Sequence, residues 1–384
     1  MLLRLIVSNT EWIKPKEYKL NSESEIAELI SDESVNRVID PIEDISNDLF
    51  ELNHPDCVDD LNRREQFCSE IEEQGVNYGK WFHYPWDGSL IRFPENDDYY
   101  SLRTFRNRNL ITKDEQRALR NKKIAVFGLS VGSNVIDSTV QGGIGNEYIM
   151  FDPDRLSITN LNRVRAGMNH VGLLKTTVAG RKIAELDPYI NQQHFSEGYN
   201  MLTDDILRKE MPDVIVEETD NIEVKARIRR IAGELAIALV TVGDVDDTMV
   251  LDVERYDRNS KPFNGKISRK EFESLINSDS LSKKDKETML IKMLGLRNLS
   301  PRLLDSGMAR GVELTGFPQL GSTSAIGGAM ASVAIRDIIL DRKIDSGTRV
   351  ENIRKVIKSQ KPTTVLEDIN ILKRYIEYRS NHDK

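Results

Sequence analysis

The chain has 384 residues, 39% of them apolar, which is enough for one large core and a smaller appendage. Its formal charge of −8 is spread over residues of both signs, so no basic field exists to hold nucleic acid or an anionic membrane surface. No apolar run approaches the ~18 residues of a membrane-crossing helix, and the opening MLLRLIVSNTEWIKP lacks the apolar length and small-residue cleavage site of a signal peptide.

That opening segment reads as a β-strand. The two cysteines, Cys57 and Cys68, lie close together in a chain too large to need a disulfide, which suits a reducing, cytoplasmic setting. With five scattered histidines they make no structural zinc set. Residues 1–100 carry the aromatic run WFHYPWDGSLIRFP without long helical periodicity ahead of it, and read as a small N-terminal α/β appendage.

From Asn107 the pattern changes. LITKDEQRALRN predicts a short amphipathic helix with Thr112 as N-cap and Glu115 completing a capping box. The strand KKIAVFG follows, and then β-branched runs alternate with helical stretches: EYIMFD, KTTVAGRKIAEL, DVIVEET, KARIRRIAGELA and ALVTVGD. This alternation predicts parallel strands joined by right-handed helical crossovers, a Rossmann-like doubly wound, mostly parallel α/β fold over residues 101–342. Residues 258–306 read as a helical insertion, and GFPQLGSTSAIGGAMASVAIRDIILD as a small-residue-rich helix packed on the sheet. Residues 343–384 read as a helical tail.

In IAVFGLSVGSNVIDSTVQGGIGNEYIMFDPD, Gly128 ends a strand and Gly132 opens a helix. Bare backbone there lets a phosphate approach, and the helix N-terminus offers free N–H donors to it. Asp152, twenty-four residues on, stands where a carboxylate accepts from ribose hydroxyls. Ser130 and Ser133 take two positions that the GxGxxG pattern gives to glycine; a serine hydroxyl can donate to phosphate, but its Cβ limits the approach. A turn that merely joins strand to helix would read the same way.

Four further pieces come in order: Asp152-Pro153-Asp154, Thr159-Asn160-Leu161-Asn162-Arg163, Gly172-Leu173-Leu174-Lys175 and Glu218-Thr219-Asp220-Asn221. With the glycine loop they resemble the ThiF/MoeB and ubiquitin-activating-enzyme family, whose pattern runs DxD, SNLxRQ, GxxK and TDN. The strings GLSVG, LNR, AELDPY, LDVERYD and FPQLGS are similar to a bacterial branch of ThiF-like proteins associated with nitroreductase-like domains. The resemblance implies ATP and Mg²⁺ as cofactors and adenylation of a carboxylate with release of pyrophosphate. It puts Arg163 and Lys175 on the phosphates, Asn160 beside them, Asp152 of the Asp152–Asp154 pair on the ribose, and Asp220 on Mg²⁺. It also implies a homodimer in which Arg106, better placed than Arg108, reaches the neighbouring subunit's phosphates. Charge builds on phosphate during such a transfer, so cations must meet it; hydride transfer needs none there.

Two departures bear on the chemistry. No cysteine follows Cys68, so a family-type enzyme thioester is not expected, and the acyl group of a protein or peptide C-terminus would pass to a nucleophile from another molecule. Val164 stands where the family pattern has glutamine. Two other readings stay open on sequence alone, a nucleotide-binding scaffold without turnover and a component of an NAD- or flavin-linked oxidoreductase. Asp244, Asp246 and Asp247 follow a predicted strand and could bind metal, repel an acidic substrate tail or form a solvated turn.

Overall fold

The computed structural model describes residues 11–31, 34–277, 281–295, 298–357 and 365–382. The strand expected at the start of the chain lies largely on residues 1–10, outside the described residues. The first elements are β1 (Lys16–Tyr18), α1 (Glu23–Ser31), β2 (Arg37–Ile39), α2 (Ile42–Asn53), α3 (Leu61–Glu72), β3 (Lys80–Tyr84) and β4 (Ser89–Phe93). They form a four-stranded sheet in the order β1-β3-β4-β2, with the aromatic run folded into the β3–β4 hairpin. The two twelve-residue helices depart from the expectation of no long helical periodicity: α2 buries Ile45, Leu49 and Leu52, a 3.6-residue stripe diluted by acidic neighbours.

The larger part begins with α4 (Asn96–Arg103) and α5 (Lys113–Arg120), where Thr112 and Glu115 form the expected capping box. Then come β5 (Lys123–Phe127), α6 (Gly132–Gln141), β6 (Glu147–Phe151), α7 (Lys175–Leu186), β7 (Asn191–Phe195), α8 (Thr203–Glu210), β8 (Val214–Glu217), α9 (Ile222–Glu234), β9 (Ala238–Val245) and β10 (Thr248–Glu254). The insertion is helical as expected, with α10 (Arg269–Asn277), α11 (Lys283–Leu294) and α12 (Pro301–Ala309), and α13 (Gly321–Ile339) is the small-residue helix. The last elements are β11 (Gly347–Asn352), α14 (Ile353–Val356) and α15 (Val365–His382).

The tail is therefore not wholly helical. β11 pairs antiparallel with β10 and closes the edge that β10 would otherwise expose. The seven-stranded sheet runs β11-β10-β9-β8-β5-β6-β7, with β5 to β9 parallel and β10 and β11 antiparallel. Helices α6, α7 and α13 cover one face, burying Val135, Ile183 and Ile335 on Val126, Met150 and Val240. Helices α8 and α9 cover the other through Leu207, Ile228 and Ile231. Tyr84 Oη donates to Ala184 O at 3.0 Å, tying the small sheet to α7.

The chain winds from β5 one way to β6 and β7 and the other way to β8 and β9. The crevice of such a doubly wound sheet opens at the finishing end of the strand where the order reverses. That end of β5 is Phe127, followed by Gly128.

Candidate functional site

Gly128 has φ +83°, and a Cβ there would stand 2.5 Å from Glu218 O, so only glycine fits this crossing of β5 and β8. At Gly132 a Cβ would meet Val126 at 3.1 Å. Helix α6 begins after Val131 with no side-chain cap, leaving its first N–H groups to face the crevice. Ser133 Oγ donates to Ser130 O at 2.8 Å, and Ser130 Oγ accepts from Arg163 Nε at 2.9 Å. The serine in the second glycine position therefore fixes an arginine on the loop.

Arg163 is half-buried. Its Nη1 donates to Thr159 O at 3.2 Å and Asn162 Oδ1 at 3.0 Å. Burial pulls its guanidinium below the ordinary arginine range, opposed by the carboxylates of Asp220 and Asp244. Two acids on the finishing ends of β8 and β9 thus face an arginine carried by the loop after β6.

Asp152 is 3% exposed and accepts from the backbone N–H of Leu129 at 2.6 Å and of Asp154 at 2.8 Å. Burial pushes its carboxyl up, while Lys175 and those two N–H groups pull it back. Lys175 Nζ lies 3.8 Å from Asp152 and donates to Asp154 Oδ2 at 2.7 Å. Asp152, Asp154, Lys175, Ser130 and Arg163 are thereby brought round one glycine loop, although they come from four segments of the sequence. Asp220 is exposed, directly ahead of the Asn221 that caps α9 through Val224 N.

Two further expected residues lie outside the set round the loop. Asn160 Oδ1 accepts from Ser157 N at 3.1 Å and completes its own turn, so that oxygen is committed locally. Arg106 is exposed in a short turn of Phe105–Asn107, next to Asn107, whose amide donates to Gly142 O at 3.3 Å. That is the far end of α6, about 15 Å along the helix from the glycine loop. Val164 is buried against Leu156 and Val178 and packs the site's supporting turn.

The aspartates after the β9 strand divide. Asp246 and Asp247 form the two-residue β9–β10 turn, Asp246 with φ +57°, and Asp247 pairs with Arg354. Asp244 belongs to β9 itself. Both its oxygens are sealed from solvent, and burial pushes its carboxyl up to about 7 against the pull of Arg163 and the Ser324 hydroxyl. Sequence reading passed over Asn134 and Ser324: Asn134 Nδ2 donates to Arg163 O at 3.0 Å and to Ser324 Oγ at 3.2 Å. The signal for them was the small-residue helix α13, whose Gly328 lies against Asn134. The insertion packs Phe263, Ile267, Leu275 and Met293 on Ile222 and Ala226 of α9, and Leu294 stands by Gly243, walling the site beside Asp244.

Among the described residues no group of three or more acidic, histidine or cysteine side chains could hold a metal alone, and no helix is long and apolar enough to cross a membrane. The model of the ThiF family matches residues 104–363. An uncharacterized protein of Mycobacterium tuberculosis (strain CDC 1551 / Oshkosh) is 32% identical over 270 residues, 70% of this chain and 37% of that protein. Ubiquitin-like modifier-activating enzyme 5 of Drosophila erecta is 28% identical over 157 residues, 39% of this chain and 38% of that protein. The chain thus spans less than two fifths of these relatives' length. Among solved structures, the E. coli tRNA N6-threonylcarbamoyladenosine dehydratase in complex with AMP is similar with a TM-score of 0.45 at 16% identity, covering 63% of this chain and 95% of that one.

Proposed function

The chain belongs to the ThiF family, and from that premise we propose that it is an ATP-dependent adenylyltransferase that activates a carboxylate as its acyl-adenylate. The observation that carries the reading is the convergence of Arg163 and Lys175 on one glycine loop, the arginine through Ser130 and the lysine through Asp154 and Asp152. The residues suit the ligand: Asp152 is a buried acceptor for ribose, and the α6 N-terminus is uncapped. A carboxylate oxygen attacks the α-phosphorus, the bond to the bridging oxygen breaks, and pyrophosphate leaves with the electron pair. Arg163 and Lys175 meet the charge that develops, with Lys175 exchanging Asp154 for phosphate.

Mg²⁺ binds through one or two carboxylates plus substrate phosphates, so the exposed Asp220 suffices as its protein ligand. The ion supplies neutralisation of the pyrophosphate leaving group. Arg106 lies too far along α6 to serve its own glycine loop, which supports a homodimer in which it serves the partner's. The relative named a ubiquitin-like modifier-activating enzyme supports a protein or peptide C-terminus as the carboxylate. With no cysteine after Cys68, the acyl group passes to a nucleophile from another molecule.

Carboxylate-dependent exchange of labelled pyrophosphate into ATP is the direct assay. Lys175→Ala and Asp220→Ala are each expected to lower exchange at least a hundredfold, with the melting temperature little changed for the exposed Asp220 and lowered for the buried Lys175, whose loss leaves Asp152 without its cation. Tight ATP binding without exchange for any carboxylate partner would favour a scaffold without turnover and overturn this reading.

A further inference from the structure

Asp244 sits at the penultimate position of β9, within the field of the arginine that Ser130 holds on the glycine loop. Neither of its carboxylate oxygens has a hydrogen-bond donor in normal geometry among the described residues, and both are closed to solvent. Asn134 Oδ1 is buried and unpaired in the same way, since the Asn134 amide nitrogen serves Arg163 O and Ser324 Oγ. Asp244 and Asn134 both adjoin Ser324, whose single hydroxyl can serve one acceptor at most, so at least two buried acceptor oxygens gather there without a donor. Leaving such an acceptor unsatisfied in the interior is unfavourable, and native proteins keep them where a proton or an occupant completes them.

The charges around Asp244 decide which. Arg163 is the cation that opposes its charge, and Asp220 already shares that cation. Glu218, just past β8, adjoins Asp244 but is itself pushed well above the ordinary carboxylate range by full burial, so it stands as a neutral acid and brings no cation to Asp244. From α13 comes only the Ser324 hydroxyl, and from the insertion the apolar Leu294 beside Gly243. Asp246 and Asp247 follow in the turn, the latter paired with Arg354. A triphosphate drawing on Arg163 would therefore leave Asp244 among anions with its one opposing cation engaged elsewhere, and like charges close by drive a carboxylate to take a proton.

Resting on the ATP reading above, we propose that Asp244 is a further residue of the nucleotide site, a proton-linked counter-ion to Arg163 that takes one proton from solvent as ATP captures the arginine. The proton joins one carboxylate oxygen, and no other bond is made or broken. Asn134 Oδ1 is an acceptor of the kind the new O–H requires. The site then holds the triphosphate without a second buried anion beside it.

Calorimetric titration of the wild-type protein with AMPCPP and Mg²⁺ at pH 8, in Tris and in HEPES, reads the proton directly from the difference in buffer ionisation heats. We expect uptake approaching one proton per analogue. Below pH 7 the free protein already carries the proton, so affinity is flat there; above about 7 it weakens towards tenfold per pH unit until the pKa of the complex is reached. Asp244→Asn, neutral and of the same shape, should bind with pH-independent affinity, several-fold tighter than wild type at pH 8, and without that proton. Zero uptake by the wild-type protein at pH 8, a measurement that needs no variant, overturns the proposal, as does equal uptake by Asp244→Asn. Absence of any AMPCPP binding by the wild-type protein has a different signature: it removes the nucleotide reading and this proposal with it.

Discussion

Where the parallel strands of the large sheet begin, every charge named here has a partner: Lys122 donates to Asp213 at 2.8 Å, and Lys123 lies 2.7 Å from Glu210 and 3.1 Å from Glu147. Arg103 holds Asp187 at 2.9 Å and donates to Val140 O. A cavity of about 420 Å³ lies there, but its Arg103, Arg120, Asp97 and Asp187 are all spent on one another. Where the same strands finish, Asp244 and Asn134 keep buried acceptors unpaired, and Arg163 is shared by two acids without a close ion pair to either among the described residues. Space alone therefore does not mark a site in this molecule. Unpaired acceptors beside an arginine shared by two acids mark it better, since the single buried atoms left unpaired elsewhere, such as Tyr78 Oη and Glu223 Oε2, have no such cation beside the glycine loop.

The contrast can be broken most forcefully at the paired end. Asp187→Ala strands the buried Arg103 and should cost about 3–5 kcal/mol in denaturant unfolding, with the ATP affinity of the remaining folded protein unchanged. A loss of ATP affinity without loss of stability would place a ligand site at the wrong end and invert the comparison. At the unfinished end the sign reverses. Asp244 is pushed from 3.8 to about 7 in the folded chain, so the folded state pays nothing for it below pH 4 and bears the full burden of its charge above pH 7. Asp244→Asn should therefore stabilise the protein by about 3–4 kcal/mol at pH 8, judged from the size of the shift, with the gain fading as pH falls towards 4. Equal melting temperatures for variant and wild type at pH 8 would show that Asp244 carries no such burden. The smallest effect belongs to Lys122→Ala, whose pair with Asp213 is about a third exposed: under about 1 kcal/mol, and nothing on ATP binding. A larger loss would mean that the paired end holds more of the fold together than exposed ion pairs usually do.

Much of this could be read from the chain. The Thr112 and Glu115 box, the helix Lys175–Leu186 and the alternation from Lys123 to Val245 are local signals, and the structure places those elements as their periodicity requires. Less could be read where local preference is weak. The stripe of α2 is broken by acidic residues, and β11 becomes a strand because β10 offers it an open edge, which no window of its own sequence records. Among site residues, the glycine loop and its ordered acids and cations were legible as a spacing pattern. The commitment of Asn160 to its own turn and the position of Arg106 at the far end of α6 were not, since both depend on where neighbouring segments come to rest.

Sequence by itself determined that a strand would end in Gly128 and a helix begin at Gly132, because φ, capping and periodicity act over a few residues. It also determined which acids and cations would follow, and in what order. Only the tertiary structure decided that Asp244 would be an interior group. In sequence it is one of three aspartates that could all have been a solvated turn; the β9–β10 register puts Asp246 and Asp247 in that turn and draws Asp244 under Ser324 and Arg163. Burial and the charges that attend it are sums over distant segments, and they exist only once the sheet has closed.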